Sequence, residues 1–139
     1  MEPRALQDVE DIKQLKARFA RLVDAQDWDG WADLLTEDYR FKSDAGTVDG
    51  RAAVVAMVRE ALVDATTVHK VFAPEITLMG PNDADGSWAI EDLILIPSDP
   101  PLALRLHSRC EERYRREGAT WRVSETVEST IHTETLEPQ

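Results

Sequence analysis

From Thr66 to Glu134 the chain is written in period two. TTVHKVFAPEITLMG, SWAIEDLILI, PLALRLHSRCEERYRRE and TWRVSETVESTIHTE each alternate as strands do, and GPNDADG, PSDPP and Gly118-Ala119 between them are turn signals. Long strands joined by short turns pair antiparallel, and a lone sheet of this kind needs a cover for one face. The first half of the chain supplies one. Ile12, Leu15, Phe19, Leu22 and Val23 fall on one stripe of a helix predicted from about Gln7 to Ala25. WDGWADLL predicts a short second helix, with Trp28, Trp31, Leu34 and Leu35 inward and Asp27 as N-cap. YRFKSD reads as a strand and DAGTVDG as a turn with a short strand. Val54, Met57, Val58, Ala61 and Leu62 mark a third helix starting near Gly50. Pro74 predicts a bulge or an edge strand. The expected fold class is α+β: three N-terminal helices on one face of a strongly curved, mainly antiparallel sheet, one domain over residues 1–139, with a frayed tail after Glu134.

One residue breaks the pattern. Trp88, Ile90, Ile94 and Ile96 share a face of their strand, and Asp92 sits in the middle of it. A buried carboxylate without a partner costs several kcal/mol, so Asp92 must be paired, protonated or solvated. His69, on the preceding strand, is the expected partner across a hairpin. A carboxylate beside an imidazole fixes its tautomer and raises its basicity, as a general base near neutral pH requires. The alternatives are a structural His–Asp bond in the core, or an Asp92 that faces solvent.

Composition removes other classes. With 27 acidic against 16 basic residues the net charge is −11, which argues against nucleic acid or an anionic membrane as partner. The single cysteine, Cys110, permits no internal disulfide and fits a reducing compartment. No apolar run has membrane-spanning length, and MEPRALQDVED has no apolar signal region, so a soluble cytoplasmic protein is expected. His69, His107 and His132 are far apart, and no His-x-x-x-His, Cys-x-x-Cys, glycine-rich phosphate loop or nucleophile elbow occurs, so neither metal nor cofactor is expected. Leu104, Leu106, Ser108 and Cys110 share one strand face and Arg105, His107 and Arg109 the other. This assigns His107 to the outer face and Cys110 to the core as a small residue.

FARLVDAQDWDGWADLLTEDYRF resembles the opening of the SnoaL-like branch of the NTF2-like superfamily: an aromatic, an aspartate five residues on, then Asp-Trp-Asp and a short helix. GRAAVVAMV is similar to that branch's third helix, TVHKVFAPEITLMGPNDADGSWAIED to its central hairpin and ERYRREGATWRV to its last one. The resemblance implies a cone, with a curved sheet wrapped around a long helix and a pocket between them. In the dehydratases of this superfamily, bile-acid dehydratase and scytalone dehydratase, a histidine on this strand is catalytic; in the bile-acid type an aspartate on the next strand pairs with it. His69 and Asp92 match those positions. Asp24 matches the family's aspartate near the end of helix one, which implies a role in placing or protonating a substrate hydroxyl. The helical wheel, however, turns it away from the Phe19/Leu15 stripe, and a turn role is the alternative. Phe19 stands where dehydratases and ketosteroid isomerases carry a hydrogen-bonding tyrosine, and phenylalanine cannot donate. Tyr39 could supply a phenol instead. Asp44 lies within one residue of the isomerases' proton-shuttling aspartate, but in a polar turn. The late-strand arginine of the dehydratases has no counterpart after Arg122, so its role is unfilled or falls to His132; this argues against an anionic or thioester-linked substrate.

The resemblance and the residues together imply a cofactor-independent dehydratase acting on a small apolar cyclic, polyketide-like or steroid-like molecule. His69 is the expected base, Asp92 its partner and Asp24 an assistant, with Phe19, Trp28, Tyr39, Phe72, Trp88 and Ile90 lining the pocket. The alternatives are an isomerase or aldol-type cyclase using the same pair, and a non-catalytic ligand-binding or oligomerisation module. The resemblance also implies an apolar outer patch, here Val68, Phe72, Leu93 and Leu95, and with it a homodimer or homotrimer.

Overall fold

The computed structural model describes residues 3–137. Helix α1 (Pro3–Asp24) is followed by α2 (Trp28–Ala32), β1 (Leu35–Ser43), β2 (Gly46–Asp49) and α3 (Arg51–Ala61). Four long strands then follow: β3 (Thr66–Leu78), β4 (Asp83–Ile96), β5 (Leu102–Glu117) and β6 (Thr120–Leu136). With β1 and β2 they form one six-stranded sheet in the order β2-β1-β6-β5-β4-β3. Among the described residues only β1 against β6 is parallel; the other four pairings are antiparallel. Among the described residues no helix is long and apolar enough to cross a membrane.

Helix α1 contains no glycine, and its one proline stands at its first residue, where a missing N–H costs nothing. Its buried stripe is Ile12, Leu15, Lys16, Ala20 and Val23. That stripe is rotated from the predicted one: it includes a lysine, and Leu22 is only partly buried. Helix α2 is capped by Asp27, whose Oδ1 accepts from the Gly30 N–H at 2.9 Å. It stops at Ala32, earlier than WDGWADLL suggested, because Leu35 already pairs with Val123 in the sheet. Trp31, Tyr39, Tyr114, Trp121 and Val123 pack with Ile12, Leu15 and Val54 into the main core.

Pro74 lies at a bulge. Ala73 takes φ 51°, the β3–β4 register slips between Phe72 and Glu75, and β3 is an edge strand. Strand β6 continues to Leu136, paired with Ala103, so the predicted fraying after Glu134 does not occur within the described residues. Along β4 the inward residues Ala84, Gly86, Trp88, Ile90 and Asp92 are all buried. At Gly86 an added Cβ would stand 2.8 Å from the Tyr114 ring, so glycine is what lets that ring lie across the sheet.

Candidate active site

Strands β3 and β4 set His69 directly opposite Asp92. The hydrogen bond, however, goes elsewhere. His69 Nδ1 lies 2.5 Å from Asp24 Oδ1 at the end of α1, while Nε2 is 3.8 Å from Asp92 Oδ1, too far for a hydrogen bond. Asp24 also accepts from the His69 backbone N–H at 2.9 Å and from Thr67 Oγ1 at 2.8 Å. These donors offset the unfavourable placing of a carboxylate at a helix C-terminus. A carboxylate against Nδ1 makes that nitrogen the protonated one and leaves the lone pair on Nε2. The expectation that Asp92 orients His69 is corrected: Asp24 does so. Asp24 reaches His69 because it lies eight residues after Lys16 and four after Ala20, half-buried in line with the buried stripe of α1.

Nε2 faces a cavity of about 120 Å³ between α1, α3 and the sheet. Phe19, Val23, Val71 and Ile90 give it an apolar wall; His69, Asp92, Glu128, Lys16 and Cys110 supply its titratable groups. Asp92 is 4% exposed, and its Oδ1 has no hydrogen-bond partner among the described residues. Burial holds its carboxyl above the usual range although His69 and Lys16 pull it down. Burial also raises Glu128, with the nearby Asp92 adding to the effect. Both therefore keep a proton to higher pH than exposed carboxyls do. Lys16 Nζ lies 3.0 Å from Glu112 Oε2, and neither side chain reaches solvent (3% and 0% exposed). Burial pulls the ammonium down, but Glu112 and Cys110 outweigh it and the net shift is upward. Burial and Glu112 push the Cys110 thiol far up, so it is no nucleophile at neutral pH.

The predicted lining is only partly what the structure places there. Phe19 and Ile90 line the cavity. Tyr39 does not: it is fully buried, and its hydroxyl donates to Thr126 Oγ1 at 2.6 Å. Trp88 lies beneath, its indole N–H donating to Tyr114 Oη at 2.8 Å, and Tyr114 in turn donates to Glu112 Oε1 at 2.9 Å. Trp28 packs edge-on against Trp31 behind the wall. Phe72 is 48% exposed on the outer face, because alternation along β3 turns Val71 inward in its place. Val68 and Leu95 are exposed on that outer face as well. His132 cannot replace an arginine in the cavity, being exposed and stacked on His107 at 6.0 Å. Asp44 is exposed and accepts from the Thr130 N–H at 3.3 Å.

Lys16 and Glu128 were not anticipated. Lys16 could have been found by extending the helical stripe back from Asp24 through Ala20. Glu128 could have been found by noting that it opposes Cys110 on an inward position of β6. Larger hollows of about 630 Å³ exist, one lined by Asp38, Arg40, Arg113 and Arg115, but its ion pairs face solvent. Among the described residues no group of three or more His, Cys, Asp or Glu side chains could hold a metal ion.

A SnoaL-like domain model matches residues 4–127. No curated protein matches the sequence significantly. Among solved structures, a hexachlorocyclohexane dehydrochlorinase, LinA type 2, superposes with TM-score 0.89 at 14% identity over 98% of this chain and 93% of its own. A provisional scytalone dehydratase from Novosphingobium aromaticivorans gives 0.90 at 14% identity over 100% and 94%. An NTF2-like protein with a cystatin-like fold from the same organism gives 0.74 at 24% identity over 92% and 84%. At these identities the likeness establishes the fold.

Proposed function

The chain belongs to the SnoaL-like domain family, and from that premise we propose that it is a cofactor-independent lyase of the dehydratase type. Its substrate is a small, largely apolar alcohol with an acidified C–H bond. The observation that carries this reading is the His69 ring: Nδ1 is held by Asp24, and Nε2 is left facing a small, apolar-walled cavity with Asp92 at 3.8 Å. His69 Nε2 takes the proton. The C–H electron pair becomes the new C=C bond, and the neighbouring C–O bond breaks. The departing hydroxyl takes a proton from the buried Asp92 carboxyl and leaves as water. The cavity, about 120 Å³, suits a single ring or a short chain rather than a fused polycycle.

The dehydrochlorinase neighbour suggests chloride as an alternative leaving group. Two carboxyls in the cavity, Asp92 and Glu128, favour a group that leaves with a proton over one that leaves as an anion. The test is a panel of small hydroxy ketones and ring alcohols incubated in D2O and followed by mass. Loss of the mass of water is expected, and it should vanish in His69→Ala. Turnover retained by His69→Ala would overturn the assignment. Exchange without mass loss would point to isomerisation. No exchange and no turnover, with ligand affinity kept in His69→Ala, would favour a binding module.

A further inference from the structure

The cavity has a base and carboxyls, but the tyrosine position is Phe19 and the Tyr39 hydroxyl is committed to Thr126. A proton next to a carbonyl becomes acidic enough for a histidine only if something receives the charge that develops on the oxygen. Lys16 is the one lysine or arginine among the residues that line the cavity. Its ammonium has three N–H donors. One goes to Glu112 at 3.0 Å, a second to the weak acceptor Cys110 Sγ at 3.7 Å, and the third has no oxygen, nitrogen or sulfur acceptor among the described residues. The Phe19 ring covers it at 4.3 Å and shields it from water.

We infer that Lys16 is the electrophile of this site: its free N–H binds the substrate's carbonyl oxygen and holds the enolate formed when His69 removes the adjacent proton. This rests on the His69 reading above and narrows the substrate to β-hydroxy carbonyl compounds. In the first step the α C–H pair moves to the carbonyl oxygen and the proton goes to His69 Nε2. In the second the enolate reforms the carbonyl, the C=C bond forms, and the β C–O bond breaks. The Asp92 proton completes the water.

A purely structural account fits less well. A buried lysine–glutamate pair is matched or bettered in stability by apolar residues of similar size, so stability alone gives no reason for an ammonium at a cavity wall. This ammonium also sits where its field reaches both Asp92 and Glu128. Glu112, which also accepts from Thr126 Oγ1 at 2.7 Å, fixes its position from behind.

The test uses 4-nitrophenol, whose ionised oxygen resembles an enolate and whose absorbance reports its charge. It is titrated with protein about one pH unit below its own ionisation. Wild type should bind it as the phenolate. In Lys16→Met/Glu112→Gln, which removes both charges and so avoids a stranded Glu112, the ionised fraction of bound probe should fall at least tenfold, with the circular dichroism spectrum retained. Three outcomes overturn the inference: wild type binds the neutral phenol, wild type does not bind the probe, or the double variant ionises it as wild type does. His69→Ala separates the two readings. Ionisation lost there but kept in the Lys16 double variant would place the anion on the imidazolium, sinking Lys16 and sparing His69. Failure of the His69 reading would appear in the water-loss assay and leave this titration unchanged.

Discussion

Two histidines in this molecule each hold a carboxylate by one ring nitrogen. His69 takes Asp24 at Nδ1, 2.5 Å away; His107 takes Glu134 at Nε2, 2.8 Å away. Bond for bond they are alike, yet their surroundings differ. His107 lies on the outer face of β5, stacked on His132, with Arg105 also bonded to Glu134 at 3.5 Å. Its pair is solvated and its neighbours are charged. His69 turns its free nitrogen into a cavity that also holds a buried ammonium and a buried carboxyl whose Oδ1 has no hydrogen bond among the described residues. A histidine–carboxylate pair is therefore not itself a site. What the second nitrogen faces decides it, because water levels the first environment and cannot level the second.

The strongest way to break this comparison is to delete each ring. His69→Ala should lower water-elimination turnover by about 10³-fold or more, and His107→Ala should change it less than about twofold; equal losses would erase the distinction. Next come the carboxylates. Asp24→Asn should cost roughly 10²-fold in turnover and shift His69 between tautomers in long-range ¹⁵N spectra, whereas Glu134→Gln should leave turnover alone.

The remaining tests read stability and predict opposite signs. Burial raises the Asp92 carboxyl above its ordinary value near 3.8. Its contribution is present in full below that pH and lost as pH rises through the folded value. Asp92→Asn should therefore melt progressively higher than wild type as pH rises from about 4, and the gap should close below it. The hydrogen bond from His107 holds the Glu134 carboxyl below its ordinary value of 4.5. Its contribution is present above that pH and lost as pH falls through the lower folded value. Glu134→Gln should melt slightly below wild type at neutral pH and coincide with it in acid. This is the smallest effect, since the pair is solvent-screened. Thermal melts across pH check both.

Much of this was readable in one dimension. The period-two stretches, the turn residues, the Asp27 cap and the Pro74 bulge are local signals, and each element forms near where they point. That His69 and Asp92 meet on neighbouring strands was also readable, since a short turn joins β3 to β4; that they stand directly opposite depends on the one-residue slip at the Pro74 bulge. Their chemistry was not. Asp24 lies 45 residues from His69 along the chain, and its reach depends on how α1 rotates against β3. Lys16 was hidden because lysine reads as surface, and its burial makes sense only once Glu112, 96 residues away, is behind it. Alternation could have turned Phe72 outward, but no local rule shows that Trp88 and Tyr39 lie beneath the cavity wall with their polar atoms taken.

The sequence by itself determined the elements, the place of the β3 bulge and the anomaly of an acid on an apolar face, because backbone geometry and side-chain period are local. Only the tertiary structure decided which carboxylate holds His69, which one stays free and where the buried ammonium lies. Those depend on the angle and rotation at which a helix meets a sheet, and they follow from the packing of many side chains at once.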